Sequence, residues 1–514
     1  MLQIRNLTIT HTKDLRTILK DFTFALNPGD KAVIIGEEGN GKSTLLKLIY
    51  DASLVSGYVE YTGSVFTGND TLGYLPQELS PETKSLTVYE YCQRLPSFFD
   101  RSPKDLSAIA APLGLSADLF YSDQRIGTLS GGEKVKLMLA CLLIERPDIL
   151  LLDEPSNDLD LDTLIWLETF INTCGLPVLY ISHDETLIEK TANVVIHLEQ
   201  LRRKTEPHHT IARVPYAQYA AERKHRLAHQ EQVARKEREE YNKQQEKFRQ
   251  IMQKVEYQQS TITRQNPHGA ALLKKKMKSI KSQERRFDKE YESMTEIPET
   301  EDAIFIKFSE NASVPNSKKV LDYALDELRI EDEGSSRLLA RNIRLRVTGP
   351  EKICIIGKNG TGKSTLIKRI AAELLTRTDI HAAYMPQNYE ELLDFSVTPP
   401  EFLATTGDKE ELTRIRTYLG SMKYTADEMD HLACDLSGGQ KAKLLLLKMS
   451  YDGCNVLILD EPTRNFSPLS GPVIREVLRN YRGTIISISH DRKYMEEVCN
   501  TCYELTQEGL CLQI

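Results

Sequence analysis

Two glycine-rich loops, each ending in lysine and serine, are the residues of this chain whose types and spacing most directly predict chemistry. Both fit the pattern GxxxxGK[ST], in which glycine N–H groups converge on phosphate oxygens at the start of a helix. The lysines are expected to reach the β- and γ-phosphates of a nucleotide, and the first serine after each lysine to place its hydroxyl on Mg²⁺. The expected cofactors are ATP and Mg²⁺. The first loop comprises Gly36, Glu37, Glu38, Gly39, Asn40, Gly41, Lys42, Ser43 and Thr44, and the second Gly357, Lys358, Asn359, Gly360, Thr361, Gly362, Lys363, Ser364 and Thr365.

Two acidic pairs follow short apolar runs and fit the rest of a hydrolytic site. Asp153 and Asp460 each end a predicted strand, where a carboxylate can hold the magnesium shell. Glu154 and Glu461 come directly afterwards and are expected to face the γ-phosphate as general bases or as residues that orient water. An Asp-Glu pair in an exposed turn would lack the four apolar residues that precede both pairs.

Two histidines and two glutamines complete the predicted site. His183 and His490 follow core strands, and a single histidine in that position is usually a satisfied core residue. The matched repeat favours a switch that contacts the γ-phosphate. Gln77 and Gln387 each follow a hydrophobic-Pro pair and are candidate ligands of magnesium and of water.

A Leu-Ser-Gly-Gly segment begins another predicted helix in each half of the chain. The segments contribute Ser130, Gly131 and Gly132, and Ser437, Gly438 and Gly439. A helix N-terminus attracts anions, but a chain that already has a phosphate loop needs no second one for the same nucleotide. We therefore expect each segment to close over ATP that is held by the other copy.

These motifs recur in order, so the chain contains one α/β domain twice. The differences 437 − 130, 460 − 153 and 490 − 183 each equal 307. Apolar runs at 31–35, 149–152 and 177–181, with counterparts at 351–356, 456–459 and 484–488, predict buried parallel strands. Segments 77–129 and 387–436 are expected to hold helical subdomains. The predicted domains are residues 1–212, a linker at 213–297, and residues 298–514.

The linker has the pattern of an antiparallel helical coiled coil. Apolar residues recur every seven positions from Ala220 to Val255, and again from Leu273 to Met294, which predicts one narrow seam on each helix. Asn266, Pro267 and Gly269 disfavour a continuous helix and place a tip at 258–268, after a first helix that ends near Tyr257.

The linker is basic although the chain is acidic. Residues 216–294 contain 19 Lys and Arg against 11 Asp and Glu, whereas the whole chain has a net charge of −8. This contrast predicts that the linker contacts a polyanion. The alternative is that the charges only keep an exposed coiled coil soluble. The candidate RNA contacts are Arg264, Lys274, Lys275, Lys276 and Lys278.

Composition predicts a cytoplasmic protein without a membrane domain. No apolar run approaches 18 residues. Nine scattered cysteines, with one isolated CxxC at Cys499 and Cys502, indicate a reducing compartment more than a zinc site.

With these motifs, the chain resembles the ATP-binding cassette superfamily over nearly all of both halves. Two cassettes joined by a charged helical linker look like the ABC-F class. The resemblance implies an ATPase that binds the ribosomal E site and directs its linker tip towards the peptidyl transferase centre, near 23S rRNA and P-site tRNA. It also implies a monomer with head-to-tail cassettes, in which 36–44 faces 437–439 and 357–365 faces 130–132.

Residues 463–472 resemble the antibiotic-resistance branch, the ribosome-protection proteins. That likeness implies protection against lincosamides, pleuromutilins and streptogramins A. Ser467 stands where the first copy has Asp160, so equal activity of the two sites is not implied. The usual aromatic platform for adenine is missing upstream of both loops. The alternatives are a housekeeping translation factor of the same class and the tandem ATPase subunit of an importer. The basic linker argues against the importer, because a transporter subunit needs no such projection. A DNA-repair or chromosome ATPase fits less well, because the coiled coil is short and zinc modules are lacking.

Overall fold

The structure is a computed structural model that describes residues 1–201, 206–261, 313–332, 335–393, 396–422 and 424–513, with short stretches between 272 and 308. By its internal contacts the chain divides into two compact units. One consists of Met1–Ala217 together with Glu301–Ile514, and the other of Gln218–Thr300. The first unit contains both copies of the repeat, here called the first and second cassettes, and the second unit contains the linker helices.

The first cassette is built on a six-stranded sheet and a smaller antiparallel sheet. Its strands are β1 (Leu2–His11), β2 (Thr17–Leu26), β3 (Lys31–Ile35), β4 (Val59–Phe66), β5 (Leu72–Leu75), β6 (Ile149–Asp153), β7 (Val178–Ile181), β8 (Val194–Gln200) and β9 (Glu206–Ala212). The larger sheet has the order β5-β6-β7-β3-β8-β9, and the smaller β2-β1-β4. Strands β3, β6 and β7 are buried along their whole length, as parallel strands with both faces covered must be.

The second cassette repeats this arrangement. Its strands are β10 (Lys319–Asp332), β11 (Ser335–Thr348), β12 (Lys352–Ile356), β13 (Ala382–Met385), β14 (Val456–Asp460), β15 (Thr484–Ile488), β16 (Thr501–Thr506) and β17 (Gly509–Gln513). The main sheet has the order β13-β14-β15-β12-β16-β17, which is the first sheet's order with the corresponding strands. The predicted α/β fold with two cassettes is confirmed.

Helices surround these sheets and begin at the motifs. They are α1 (Lys42–Tyr50), α2 (Pro81–Ser85), α3 (Val88–Gln93), α4 (Pro103–Ala110), α5 (Gly131–Ile144), α6 (Leu161–Thr173), α7 (Glu185–Thr191), α8 (Tyr216–Thr261), α9 (Lys363–Leu375), α10 (Pro399–Leu403), α11 (Lys409–Ser421), α12 (Ala426–Asp430), α13 (Gly438–Tyr451), α14 (Gly471–Asn480) and α15 (Arg492–Val498). Phosphate loops precede α1 and α9, and the Leu-Ser-Gly-Gly segments precede α5 and α13. Ser130 and Ser437 cap these last two helices through capping boxes, which fixes where each helix begins.

The linker unit has the antiparallel helix pairing that the heptad pattern predicts. The Phe287 ring packs edge-on against the rings of Tyr241 and Phe248, with centroids 6.3 and 5.4 Å away. Thr295 N–H donates to Glu237 Oε2 at 2.7 Å, so a later residue meets an earlier one. The predicted end of the first helix at Tyr257 is wrong, because α8 continues to Thr261. Gln258 to Thr261 contain no helix breaker, and the breakers Asn266, Pro267 and Gly269 lie outside the described residues.

Opposite charges join the two cassettes beside the histidine segments. Arg475 is only 3% exposed, and its guanidinium lies 2.8 Å from Glu185 of the first cassette and 2.9 Å from Glu497. Lys493 lies 3.0 Å from Glu185, and Arg492 pairs with Glu168. Acidic residues of α6 and α7 thus face basic residues of α14 and α15, and this contact fixes one part of the cassette interface.

Replacing Arg475 with alanine should destabilise the chain. Loss of this buried cation leaves Glu185 with Lys493 but without the guanidinium, and removing one member of a buried pair costs about 3 kcal/mol of unfolding free energy. Urea titration of the variant measures the change. Arg94→Ala is the matched control, because Arg94 and Glu82 form an exposed pair, with 57% and 77% of their side chains accessible. Its effect should stay within about 0.5 kcal/mol, and equal effects of the two substitutions would contradict the buried role of Arg475.

Candidate functional site

The first phosphate loop joins β3 to α1 in a conformation that requires its glycines. Gly36, Gly39 and Gly41 have φ angles of 149°, 77° and 80°. A Cβ atom on Gly41 would also stand 2.1 Å from Cγ2 of Ile18. Glycine adopts these backbone angles without strain, and at Gly36 and Gly41 a larger side chain would also clash with its neighbours.

The loop lysines are held over their own loops. Lys42 Nζ donates to the carbonyls of Gly36 and Glu37 at 2.9 and 3.0 Å. In the second loop, Lys363 Nζ makes the same contacts with Gly357 and Lys358 at 2.7 and 3.0 Å. Burial lowers the pKa of both lysines, although nearby carboxylates, Glu154 and Glu461 foremost, oppose that shift. Each ammonium group therefore lies beside its loop, where it could contact a phosphate bound there.

The candidate magnesium ligands meet at the ends of β6 and β14. Ser43 Oγ donates to Asp153 Oδ1 at 2.9 Å, which connects the first loop to the strand end. Both oxygens of Asp460 are buried, and neither has a hydrogen-bond partner among the described residues. Burial raises the pKa of Asp153 and of Asp460. The unpartnered oxygens of Asp460 and the Ser43–Asp153 pair both fit a hard cation, which would stabilise the charged form of each carboxylate.

Each candidate magnesium site contains one aspartate and one serine side chain. In the described part of the chain, no three His, Cys, Asp or Glu side chains are grouped closely enough to bind a metal ion. This composition suits Mg²⁺, which is usually bound by one or two carboxylates together with substrate phosphates and water. Ser43 with Asp153, and Ser364 with Asp460, are the residues that would hold it. The roles of Gln77 and Gln387 as further ligands stay predictions.

Glu154 lies in a polar cage of the first cassette. Its carboxylate accepts hydrogen bonds from Gln77 Nε2 at 3.1 Å and Asn157 Nδ2 at 2.5 Å, and His183 Nε2 lies 3.3 Å away. Burial raises the pKa of Glu154, but the His183 hydrogen bond and the charges of His183 and Lys42 outweigh it and lower the pKa to about 2. Glu154 is therefore an ionised carboxylate held by three polar side chains, and its role in orienting water stays a prediction.

Glu461 has a different environment in the second cassette. His490 Nε2 is 3.9 Å from its carboxylate, and Arg464 takes the place that Asn157 has in the first copy. Burial and then the charge of Asp460 raise the pKa of Glu461 to about 8. Burial and the charge of Lys363 lower the pKa of His490 to about 4. The two predicted bases thus differ in their protein surroundings, although the sequence motif around them is the same.

Each phosphate loop contacts the other cassette. Gly439 N–H, in the first turn of α13, donates to Glu38 Oε2 at 2.7 Å. Asn359 Nδ2 donates to the Asp158 carbonyl at 2.6 Å, and a Cβ on Gly131 would lie 2.6 Å from that same oxygen. The first loop therefore faces the 437–439 segment, and the second loop lies beside the 130–132 segment, which is the pairing that the family resemblance implies.

A cavity of about 890 Å³ lies at this interface. Its walls include most of the residues predicted to bind ATP at the second phosphate loop. They also include the catalytic candidates of the first cassette. Its predicted lining residues include Gln77, Ser130, Gly131, Glu154, His183, Asn359, Gly360, Gly362, Lys363, Ser364, Thr365, Gln387, Asp460, Glu461 and His490. Thr44 lies in the first turn of α1, and Gly132 in that of α5.

Sequence motifs alone did not identify the contacts that cross between the cassettes. Asp158 Oδ1 lies 3.0 Å from Arg464 Nη1 and accepts a hydrogen bond from Gln387 Nε2 at 3.3 Å. His183 Nδ1 lies 3.0 Å from the Phe466 carbonyl. Gln387 therefore bonds to the opposite cassette, whereas the sequence predicts it only as a ligand of magnesium and water. No pattern in the sequence indicates these pairs, whose members are more than 200 residues apart.

Two arginines beside the loops were also missed. Arg16 Nη2 donates to the Gly39 carbonyl at 3.0 Å, and its Nε is buried without a partner among the described residues. Arg337 lines the cavity beside the second loop. Each arginine stands 26 residues before its loop lysine, and this equal spacing was the available signal.

The candidate RNA-binding lysines lie in the linker unit. Lys274, Lys275, Lys276 and Lys278 are all exposed within a helical stretch, residues 274–280. Arg264 and the centre of the predicted tip fall outside the described residues. Within the described chain, no helix is both long enough and apolar enough to cross a membrane.

Comparison with known proteins identifies the family. The ABC transporter family model matches residues 19–157 and 340–464, which include both phosphate loops and both Asp-Glu pairs. The chain is 28% identical over 525 residues to the probable ATP-binding protein YheS of Escherichia coli K12, covering 96% of this chain and 77% of YheS. It is 25% identical over 552 residues to ABC transporter F family member 5 of Arabidopsis thaliana, covering 97% of this chain and 74% of that protein.

Solved structures share the fold. An RNase-L inhibitor structure matches with a TM-score of 0.57 and 16% identity, covering 99% of this chain and 91% of the other. An archaeal ribosome recycling factor, aABCE1, in complex with the ribosomal stalk protein aP1, matches with a TM-score of 0.56 and 17% identity, covering 98% and 89%. The cassette motifs, the fold and these relatives establish an ATPase. The chain is similar over almost its whole length to F-family members of this group, and it belongs to the ABC transporter family.

Proposed function

We propose that this ATPase binds the ribosomal E site in its ATP-bound state and uses its linker tip to protect the peptidyl transferase centre from antibiotics. The observation that carries the proposal is the basic helical unit inserted between two cassettes. Its helix α8 alone has 46 residues, which corresponds to roughly 70 Å at 1.5 Å per residue. A chain that only hydrolysed ATP would need no insertion of this length and charge.

Charge on the linker suits ribosomal RNA as the partner. Lys274, Lys275, Lys276 and Lys278 are exposed on a helix, and lysine side chains bind phosphate groups with release of counterions. One of the similar structures is a model of ribosome-bound archaeal Pelota and ABCE1, with a TM-score of 0.52 and 16% identity. That likeness concerns the fold, and it makes the ribosome a reasonable polyanion to test first. The proposed binding partners are 23S rRNA and P-site tRNA. The proposed active form is a monomer in the cytoplasm.

ATP would couple the cassettes to this binding. Phosphates held by each loop would also meet the opposite cassette, so that nucleotide favours the closed arrangement of the two. Glu154 and Glu461 would then orient water against the γ-phosphate, with Ser43, Asp153, Ser364 and Asp460 around Mg²⁺, which neutralises developing charge on the phosphates. Hydrolysis removes the bridging phosphate and would release the protein from the ribosome.

The proposed resistance role rests on residues 463–472, whose likeness to the ribosome-protection branch is a matter of sequence alone. The drugs proposed are lincosamides, pleuromutilins and streptogramins A. The competing function is that of a housekeeping ABC-F translation factor. Deletion of the gene separates the two, because loss of drug tolerance at normal growth supports protection, whereas a growth defect without a change in tolerance supports the housekeeping role.

Changing Lys274, Lys275, Lys276 and Lys278 to glutamine should weaken ribosome binding and reduce its salt dependence. Each lost lysine–phosphate contact removes about 0.7 to 0.9 from the slope of log affinity against log salt. Ribosome pelleting with ATP measures this slope, in a background with Glu154→Gln and Glu461→Gln that slows turnover.

The matched control removes four exposed lysines from the cassettes, by substituting Lys13, Lys20, Lys104 and Lys409 with glutamine. This variant has the same net charge as the linker variant and should keep the parent slope. Identical slopes for the two variants would mean that the linker lysines form only a solvated face.

Replacing residues 262–265 with a Gly-Ser turn should abolish or redirect drug protection while ATP hydrolysis continues. The substitution leaves α8 and every cassette motif intact, and the predicted tip offers no paired acid and base for drug chemistry. Minimum inhibitory concentrations for the three drug classes, measured beside the ATPase rate and ribosome pelleting, make the comparison. Full protection with unchanged drug preference would refute the role of the tip, and a modified drug would refute protection by binding alone.

A further inference from the structure

The two phosphate loops differ in charge at two adjacent positions. The first loop has Glu37 and Glu38 where the second has Lys358 and Asn359, and the second loop contains no acidic residue. A loop that binds a polyphosphate gains nothing from carboxylates at its centre, because like charges repel. The acidic pair therefore requires another explanation.

Both carboxylates of the first loop are engaged by helix α13 of the other cassette. Gly439 N–H donates to Glu38 Oε2 at 2.7 Å, and Oε1 of the same residue lies 3.1 Å from the position of a Cβ on Gly438. Lys443, on the second turn of α13 and 7% exposed, has its Nζ 3.7 Å from Glu37 Oε1. Glu38 thus holds the first turn of the helix, while Glu37 lies near its buried lysine.

The second loop makes a different contact. Asn359 Nδ2 donates to the carbonyl of Asp158, and Asn359 N–H lies 3.4 Å from Asp160 Oδ2. These bonds join the second loop to the segment after Asp153 and Glu154, and use donors where Glu38 uses an acceptor. The chain itself therefore provides the comparison, because the same position holds a carboxylate in one site and an amide in the other.

Glu38 carries the charge that ATP would bring to the same place. The first turn of a helix attracts one anion through its free N–H groups, and Glu38 belongs to the loop that holds the phosphates. The terminal phosphate of an ATP on residues 36–44 would approach α13 from the loop that already presents Glu38. The phosphate and the carboxylate would then contend for the same donors and repel each other.

We propose that Glu38 is a positioning residue that docks α13 on the first loop before nucleotide binds, and that ATP must displace this carboxylate to enter the first site. The first site consequently binds ATP more weakly than it would with asparagine, and the second site fills first. The inference concerns ATP binding alone and is independent of any ribosomal partner.

The test exchanges the two residues within the full chain. Glu38→Asn copies the second loop into the first, Asn359→Glu does the reverse, and Glu38→Gln removes the charge while the side chain keeps its length. ATP titration in the Glu154→Gln, Glu461→Gln background gives two dissociation constants. Glu38→Asn and Glu38→Gln should each tighten the weaker one by about tenfold, the effect of a charge repulsion in a partly exposed site. Asn359→Glu should weaken the tighter one by a similar factor.

Hydrogen exchange of the nucleotide-free protein provides a readout that affinity alone lacks. The amides at the start of α13 should exchange faster in Glu38→Asn and Glu38→Gln, because a neutral amide oxygen accepts a weaker hydrogen bond than the carboxylate does, while those at the start of α5 should not change. Weaker ATP binding in Glu38→Gln would overturn the proposal and make the carboxylate a contributor to ATP binding. Unchanged affinity and unchanged exchange would show that the contact has no effect on either state.

Discussion

The contact of each phosphate loop with the opposite cassette is the constraint on which the rest of this structure depends. Backbone N–H groups of the loop can surround only one side of a bound phosphate chain, so donors for the other side must come from elsewhere. The structure places the N-terminus of α13 against the first loop, and Asp158, which follows β6, against the second. Cassette pairing and nucleotide binding therefore depend on the same contacts. The ion pairs around Arg475 help to hold the same interface.

Much of the fold was predictable because each cassette carries its signals locally. Four consecutive apolar residues before Asp153 and Asp460 indicate a buried strand. The GxxxxGK[ST] pattern indicates a strand, a loop and a helix in that order. The heptad spacing indicated paired helices, and the contacts of Phe287 with Tyr241 and Phe248 agree with it. The end of α8 was misplaced because helix breakers mark a region and not its boundary.

The differences between the two sites were less predictable, since they arise from residues far apart in sequence. Glu154 and Glu461 follow identical Leu-Asp motifs, yet the pKa of the first is about 2 and that of the second about 8. His183 approaches Glu154 closely, whereas His490 remains 3.9 Å from Glu461, and burial then dominates. Ser467 in place of Asp160 indicated that the sites differ, but not that Arg464 would pair with Asp158 of the other cassette.

Photocrosslinking from the 437–439 segment tests most directly the claim that each ATP site is shared by two cassettes. A benzophenone amino acid in place of Ser437 is irradiated in the full chain, and the attached residues are mapped by mass spectrometry, with the same probe at Ser130 as the counterpart. The account predicts attachment of position 437 to residues 36–44 and of position 130 to residues 357–365 or to the adjoining Asp158 segment. Attachment of position 437 to residues 357–365, the loop of its own cassette, would contradict it.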